Sequence, residues 1–276
     1  MKLPARLAWP FSALSAALVA VTLYLGLTRP PLSGVDPFTD VAFLVSFWSF
    51  SPVGALITKR QPGNPIGPLC LGIGFVVPAS TFVYEYAVYA LFISEGELPL
   101  GGLASWLSAS TWAIVFGLLS VTVLRFPTGH YLSRFWRWIG RVVVAAQVSL
   151  FLVSFVIWPS RGKGLLTEDF VGPDFLEPFL TAMLLTIFTG VLLGFVSLLL
   201  RFRRRRGVER QQLKWLGYFA GLVVVLLPLE IFIFPALQLE ESGLERALEL
   251  ILDLGVMGFP VGIAIGILRY RLYDID

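Results

Sequence analysis

Apolar residues in this chain do not recur at the period of a half-buried strand or of an amphipathic helix. They run on almost unbroken. Eight such runs lie at about 7–27, 38–58, 66–92, 103–124, 138–158, 179–200, 215–237 and 247–267. A helix needs about 20 consecutive apolar residues to cross the hydrocarbon core of a bilayer, and each run meets that length. The pattern predicts an all-α polytopic membrane protein, a compact bundle of about eight transmembrane helices joined mostly by short loops. The first run follows Met1-Lys2-Leu3-Pro4-Ala5-Arg6 and so begins like a signal peptide. Its apolar part exceeds the ~7–15 residues of a signal-peptide core, so it is expected to remain as an uncleaved span. The second run is interrupted by Ser51-Pro52, and the third is longer than a perpendicular crossing requires.

Prolines at 10, 52, 78, 228 and 260 fall inside the first, second, third, seventh and eighth runs. Each removes a backbone hydrogen bond, so each is expected to kink its helix or to act as a hinge. Small residues recur at fourfold spacing in Gly190/Gly194, Gly217/Gly221 and Gly258/Gly262/Gly266. Such faces let helices approach closely. They serve packing within the bundle or a dimer face, for which the three glycines of the eighth run are the best candidate.

Charge fixes the orientation. At 57% hydrophobic and 14% charged, with a mean hydropathy of +0.81, the chain departs from soluble composition. Half of the residues in 201–214 are Arg or Lys, and this block lies between two spanning-length runs. A basic block on a soluble domain would point to nucleic acid; here it reads as a cytoplasmic loop, and no nucleic-acid partner is expected. With the N-terminus inside, all of the 21 Lys and Arg residues except Arg29, Arg161, Lys163 and Arg246 fall on the cytoplasmic side. That asymmetry predicts N-in and C-in topology. The segment 126–138 alternates aromatics with arginines, a composition suited to the headgroup layer. The segment 159–178 is long enough to cap the outer face.

The chemistry available inside the membrane is narrow. A single cysteine, Cys70, and a single histidine, His130, exclude a disulfide framework and leave no Cys- or His-based metal cage. No metal and no cofactor is expected. Four acidic residues fall within runs: Glu85, Glu230, Glu249 and Asp253. Counted at about 1.5 Å per residue, all four lie in the outer half of the bilayer. Glu249 is one helical turn above Asp253 on the same face. No Lys or Arg is expected at that depth; Arg246, a turn beyond Glu249, is the nearest. Tyr84, Tyr86, Tyr89, Trp106 and Trp112 crowd the same layer. Intramembrane carboxylates usually face a cavity, a partner or water. Glu85, Glu230 and Asp253 either converge on an outward-facing pocket for a cation, proton or polar ligand, or sit separately near the headgroups. Glu249, Tyr84 and Trp112 complete the candidate sensing set.

Four segments carry a resemblance: Arg60-Gln61-Pro62-Gly63-Asn64-Pro65-Ile66-Gly67, Arg125-Phe126-Pro127-Thr128-Gly129, 206–215 beginning Arg206-Gly207-Val208-Glu209-Arg210-Gln211-Gln212, and Ile267-Leu268-Arg269-Tyr270-Arg271-Leu272-Tyr273-Asp274-Ile275-Asp276. In that order the chain resembles the multi-span N-terminal region of bacterial sensor histidine kinases of two-component systems. The resemblance implies a transmembrane sensor domain over 1–268 and the start of a cytoplasmic output helix over 269–276, at the point where relatives continue toward a phosphoacceptor helix pair and an ATP-binding domain. It implies residence in the bacterial plasma membrane, membrane lipids and a kinase core as partners, and homodimerisation. His130 departs from the family pattern, since relatives tend to carry Arg there. It lacks the acidic neighbour and helical setting of a phosphoacceptor. No ATP-binding motif is present, so the chain itself is not expected to be an enzyme. Signal output is expected through Pro260, Arg269, Tyr270, Arg271 and Tyr273. A rival reading is a small secondary transporter, which outer-half carboxylates and kinked helices would also suit. The absence of an internal repeat and of ionisable residues in the inner half counts against it.

Overall fold

The computed structural model describes residues 5–30, 37–94, 97–157, 177–204, 208–229 and 243–266. Among these the regular structure is entirely helical. The order is α1 (Ala5–Thr28), α2 (Pro37–Trp48), α3 (Phe50–Arg60), α4 (Ile66–Val88), α5 (Gly101–Arg125), α6 (Arg134–Ile157), α7 (Glu177–Arg204), α8 (Val208–Pro228) and α9 (Gly243–Ala264). A π-helical turn, Tyr89–Ile93, extends α4. Among the described residues, six stretches are long and apolar enough to cross a membrane: α1, α2 with α3, α4 with its π turn, α5, α6 and α9. The helices α7 and α8 occupy the stretches expected of two further spans, α8 with a shorter apolar part, Leu216–Leu226.

Proline effects differ by position. Pro10, Pro78 and Pro260 lie within α1, α4 and α9, as expected. The second run is divided between α2 and α3 at Ser49. Pro52, in the first turn of α3, has no N–H to offer the Trp48 carbonyl, which is the physical reason for the break. Pro228 is the last α-helical residue of α8, with Leu229 continuing as π-helix up to the edge of the described residues. The basic block is also more helical than a loop: α7 runs on through Arg204, and α8 begins at Val208.

Close backbone packing is concentrated at α3 and α4. A Cβ on Gly54 would lie 2.5 Å from the Leu71 amide nitrogen, and one on Gly67 would lie 2.5 Å from Thr58 Oγ1. A Cβ on Gly74 would run into the Ser51 backbone. Without side chains at these three positions the helices lie backbone against backbone, the geometry small residues permit in membranes. Gly54, Gly67 and Gly74 were not among the fourfold glycine pairs, because they alternate across two helices rather than repeating along one. Of the expected pairs, Gly190 packs on Val143 of α6 and Gly194 on Val123 of α5. Gly258 packs on Phe219 of α8, so that part of the α9 glycine face is used within the bundle, and Gly217 meets nothing within 4 Å.

The main core joins α2, α3, α4, α5, α7, α8 and α9 through Phe47, Phe50, Ile57, Ile73, Leu216 and Ile263 among others. α1 packs on α4, α3 and α2 at the side of this core. Its contact with α4 is marked by Phe11 against Phe75, ring centroids 4.5 Å apart, and by the Ser15 hydroxyl donating to the Gly74 carbonyl.

Candidate functional site

The two ends of the bundle hold different polar chemistry. At one end α1 and α4 finish side by side. Thr28 Oγ1 lies 3.3 Å from the Tyr89 hydroxyl, which sets the end of α1 level with the π turn. One residue on, Arg29 Nε approaches Glu85 Oε2 at 2.9 Å, with the two side chains only 6% and 8% exposed. Gly26 makes room: a Cβ there would sit 3.4 Å from Glu85 Oε1. The contact is an ion pair rather than an aligned hydrogen bond, and neither Nε nor Nη1 of Arg29 makes any hydrogen bond.

This corrects the expectation that no basic residue reaches the depth of the acidic layer. By its position after the first apolar run, Arg29 is expected in an external loop. The helix holds to Thr28, and the Arg29 amide still donates to the Leu25 carbonyl at 3.1 Å, so its side chain folds back along α4. A buried carboxylate beside a helix end attracts the nearest cation, since an unpaired charge there is costly.

The other sensing candidates are distributed. Asp253 is buried on α9, with Glu249 half-buried one turn before it. α9 packs on α8, α2 and α3, whereas α4 packs on α1, α2, α3 and α5. Glu85 therefore faces α1, on an element that does not share a major interface with the one bearing Asp253. Among the described residues, no group of three or more His, Cys, Asp or Glu side chains comes together in a metal-holding arrangement. Tyr84 is half-buried on α4, and Trp112 lies on α5 with its side chain outside the described set. Glu230 lies outside the described residues, as do Arg269, Tyr270, Arg271 and Tyr273; Pro260 is buried within α9. The aromatic layer is partly tied down: Tyr86 donates to the Pro99 carbonyl at 2.6 Å, and Trp106 Nε1 donates to Ser154 Oγ at 3.2 Å.

At the opposite end, sequence-distant segments interlock. Asn64 Oδ1 accepts the amide of Ile66, the first residue of α4, at 3.1 Å and so satisfies one N–H that the helix start leaves open. Its Nδ2 donates to Gln61 Oε1 at 3.1 Å and reaches the Pro127 carbonyl at 3.5 Å. Gly129 adopts a φ of 79°, open to glycine at little cost, and a Cβ there would collide with the Pro65 ring. From α7, Arg201 Nη2 donates to the Leu124 carbonyl at 2.8 Å and the His130 carbonyl at 2.7 Å. Arg201 is only 6% exposed. It is thus a structural clamp rather than one more charge of a solvated block. Arg125 stacks over the Tyr131 ring at 4.6 Å, and the His130 ring, exposed, lies 2.9 Å from the Thr128 carbonyl through Nδ1. Just beyond, Phe135 and Trp138 are 62% and 61% exposed while Trp136 and Ile139 are buried. The first turns of α6 thus place aromatic side chains on both its buried and its exposed face.

Arg29 and Arg201 are the residues that sequence reasoning missed. Both are the first charge after an apolar run, and that position was their only signal. No protein-family model, curated protein or solved structure matches the chain.

Proposed function

We propose that this chain is the membrane-embedded signal-sensing input region of a two-component sensor histidine kinase, lying N-in and C-in across the bacterial plasma membrane with about eight spans. It relays a signal through α9 and residues 269–276 to a cytoplasmic kinase core. The observation that carries the reading is the placement of the resembling motifs. The 60–67 and 125–129 segments dock on each other through Asn64, Pro65, Pro127 and Gly129, and Arg201 at the head of the basic stretch holds the carbonyls of Leu124 and His130 that flank the second of them. A shared junction of this kind gives these loop residues a structural reason to occur together, at the end that the basic residues assign to the cytoplasm. The buried Arg29–Glu85 pair at the far end is the polar element best placed to respond to a change at the outer surface. Arg269 and Arg271 suit anionic headgroups, and Tyr270 and Tyr273 the interface.

The test is a fusion of residues 1–276 to a soluble histidine kinase core, reconstituted in vesicles. Autophosphorylation is expected to differ from that of the free core and to change on Pro260→Ala. Insertion of two glycines after Tyr273 is expected to abolish the difference by breaking the helical connection. A fusion indistinguishable from the free core, and indifferent to the insertion, overturns the reading.

A further inference from the structure

The side of α6 turned away from the bundle carries charge that nothing in the chain answers. Arg134, Arg137 and Arg141 recur at helical i, i+3 and i+7 spacing, and all three are exposed. Trp138, 61% exposed, stands on the same face between Arg134 and Arg141. The opposite face, with Trp136, Ile139 and Val143, is buried against Leu124 of α5 and Leu193 and Leu200 of α7. Between Glu97 and Glu168 the sequence holds no acidic residue. Of the helices that α6 packs on, α5 therefore has none, and α7 has only Glu177, at its far end. No described side chain pairs with any of the three arginines. Further along the same face, Val144, Val148 and Leu152 are half-exposed. α6 is long and apolar enough to cross a membrane, so this apolar continuation lies along acyl chains and the arginine stripe at the headgroups. The Cα–Cβ bonds of a helix tilt toward its N-terminus. The arginines thus lean out of the apolar layer, and the deepest, Arg141, leans toward the other two.

We propose that this face of α6 binds an anionic phospholipid. Its phosphate is held by the guanidinium groups of Arg134, Arg137 and Arg141, and one acyl chain runs past Trp138 along Val144 and Val148. Guanidinium forks grip a phosphodiester through separate oxygens, which a scattering of single charges does not. A zwitterionic lipid brings its own cation to the same place and leaves the stripe uncompensated. The unbroken step from arginine to apolar side chains matches a molecule with a charged head and a hydrocarbon tail. A free phosphate or an acidic peptide has no such tail. Binding here depends neither on the direction of the topology nor on a kinase.

The experiment places p-benzoyl-phenylalanine in place of Val144 in the full chain. The chain is reconstituted in phosphatidylcholine vesicles containing a minor fraction of phosphatidylglycerol, and lipid adducts are identified by mass spectrometry after illumination. Phosphatidylglycerol adducts are expected on the order of tenfold above their share of the bilayer, each arginine near an anionic head being worth roughly fivefold and not all three bearing fully on one phosphate. The same group in place of Leu185, exposed on α7 at the other end from Arg201, is expected to give adducts in the bulk ratio. Arg137→Gln/Arg141→Gln is expected to return the adducts at Val144 to that ratio. Lys59→Gln/Arg203→Gln removes the same charge from exposed positions of α3 and α7 and is expected to keep the enrichment. All four of these side chains are exposed, so the fold is retained, and monodisperse elution of each variant checks it. Excess glycerol phosphate added to the otherwise unsubstituted chain is expected to leave the adducts unchanged. Adducts in the bulk ratio at Val144 overturn the proposal. So does enrichment that is equal at Leu185 or equally lost in Lys59→Gln/Arg203→Gln, since both describe a diffuse attraction rather than a site. Displacement by glycerol phosphate overturns the lipid as occupant.

Discussion

Replacing Arg29 by methionine removes the cation beside Glu85 and leaves a carboxylate whose side chain is 8% exposed. Breaking a buried ion pair from one side costs about 3–5 kcal/mol, because the remaining charge has lost its counter-charge and not regained water. Glu85→Leu strands Arg29 in the same way, with its Nε and Nη1 making no hydrogen bond to soften the loss. Each single variant is therefore expected to melt on the order of 10 °C below the parent, taking about 2–4 °C per kcal/mol for a chain of this size. The double variant Arg29→Met/Glu85→Leu replaces the pair by apolar side chains of similar bulk. It is expected to recover most of the loss, since such replacements of buried pairs are often neutral or better. The assay is thermal unfolding of the purified chain in lipid nanodiscs, followed by the fluorescence of its 8 tryptophans. The signature is non-additivity: two poor singles and a near-normal double. Singles that melt with the parent, or a double that is the sum of its parts, would refute the claim that a buried ion pair fastens α1 to α4.

Arg201→Met is expected to lower stability by about 2–3 kcal/mol, because the carbonyls of Leu124 and His130 lose charge-assisted donors. Limited proteolysis within 126–133 would increase, and Arg201→Lys would restore only part, since lysine lacks the forked geometry. Gly74→Leu is expected to abolish the folded chain, as judged by monodisperse gel filtration after extraction, because the side chain meets the Ser51 backbone. Gly217→Leu, at a glycine with nothing within 4 Å, is expected to leave that elution unchanged. Gly207→Cys in a Cys70→Ser background is expected to resist a membrane-impermeant maleimide in intact cells and to react after lysis. Labelling in intact cells would reverse the topology.

Single-sequence patterning determined that the chain is helical and where most of its helices run, because a bilayer admits few alternatives for a long apolar stretch. The boundaries of α4 and α5 lie close to the ends of their apolar runs for that reason. Which helix faces which was not legible. An apolar run looks much the same on all sides, so it carries little record of its partners. Gly54, Gly67 and Gly74 acquire meaning only when α3 and α4 are laid together. Arg29 and Arg201 show the same gap for charge. Each stands at the end of an apolar run, where sequence alone assigns it to solvent. Only the tertiary structure brings Glu85 within 2.9 Å of one and two backbone carbonyls within 2.8 Å of the other. A long, flexible basic side chain goes to the nearest unmet negative charge or carbonyl, and packing, not sequence position, decides where that is.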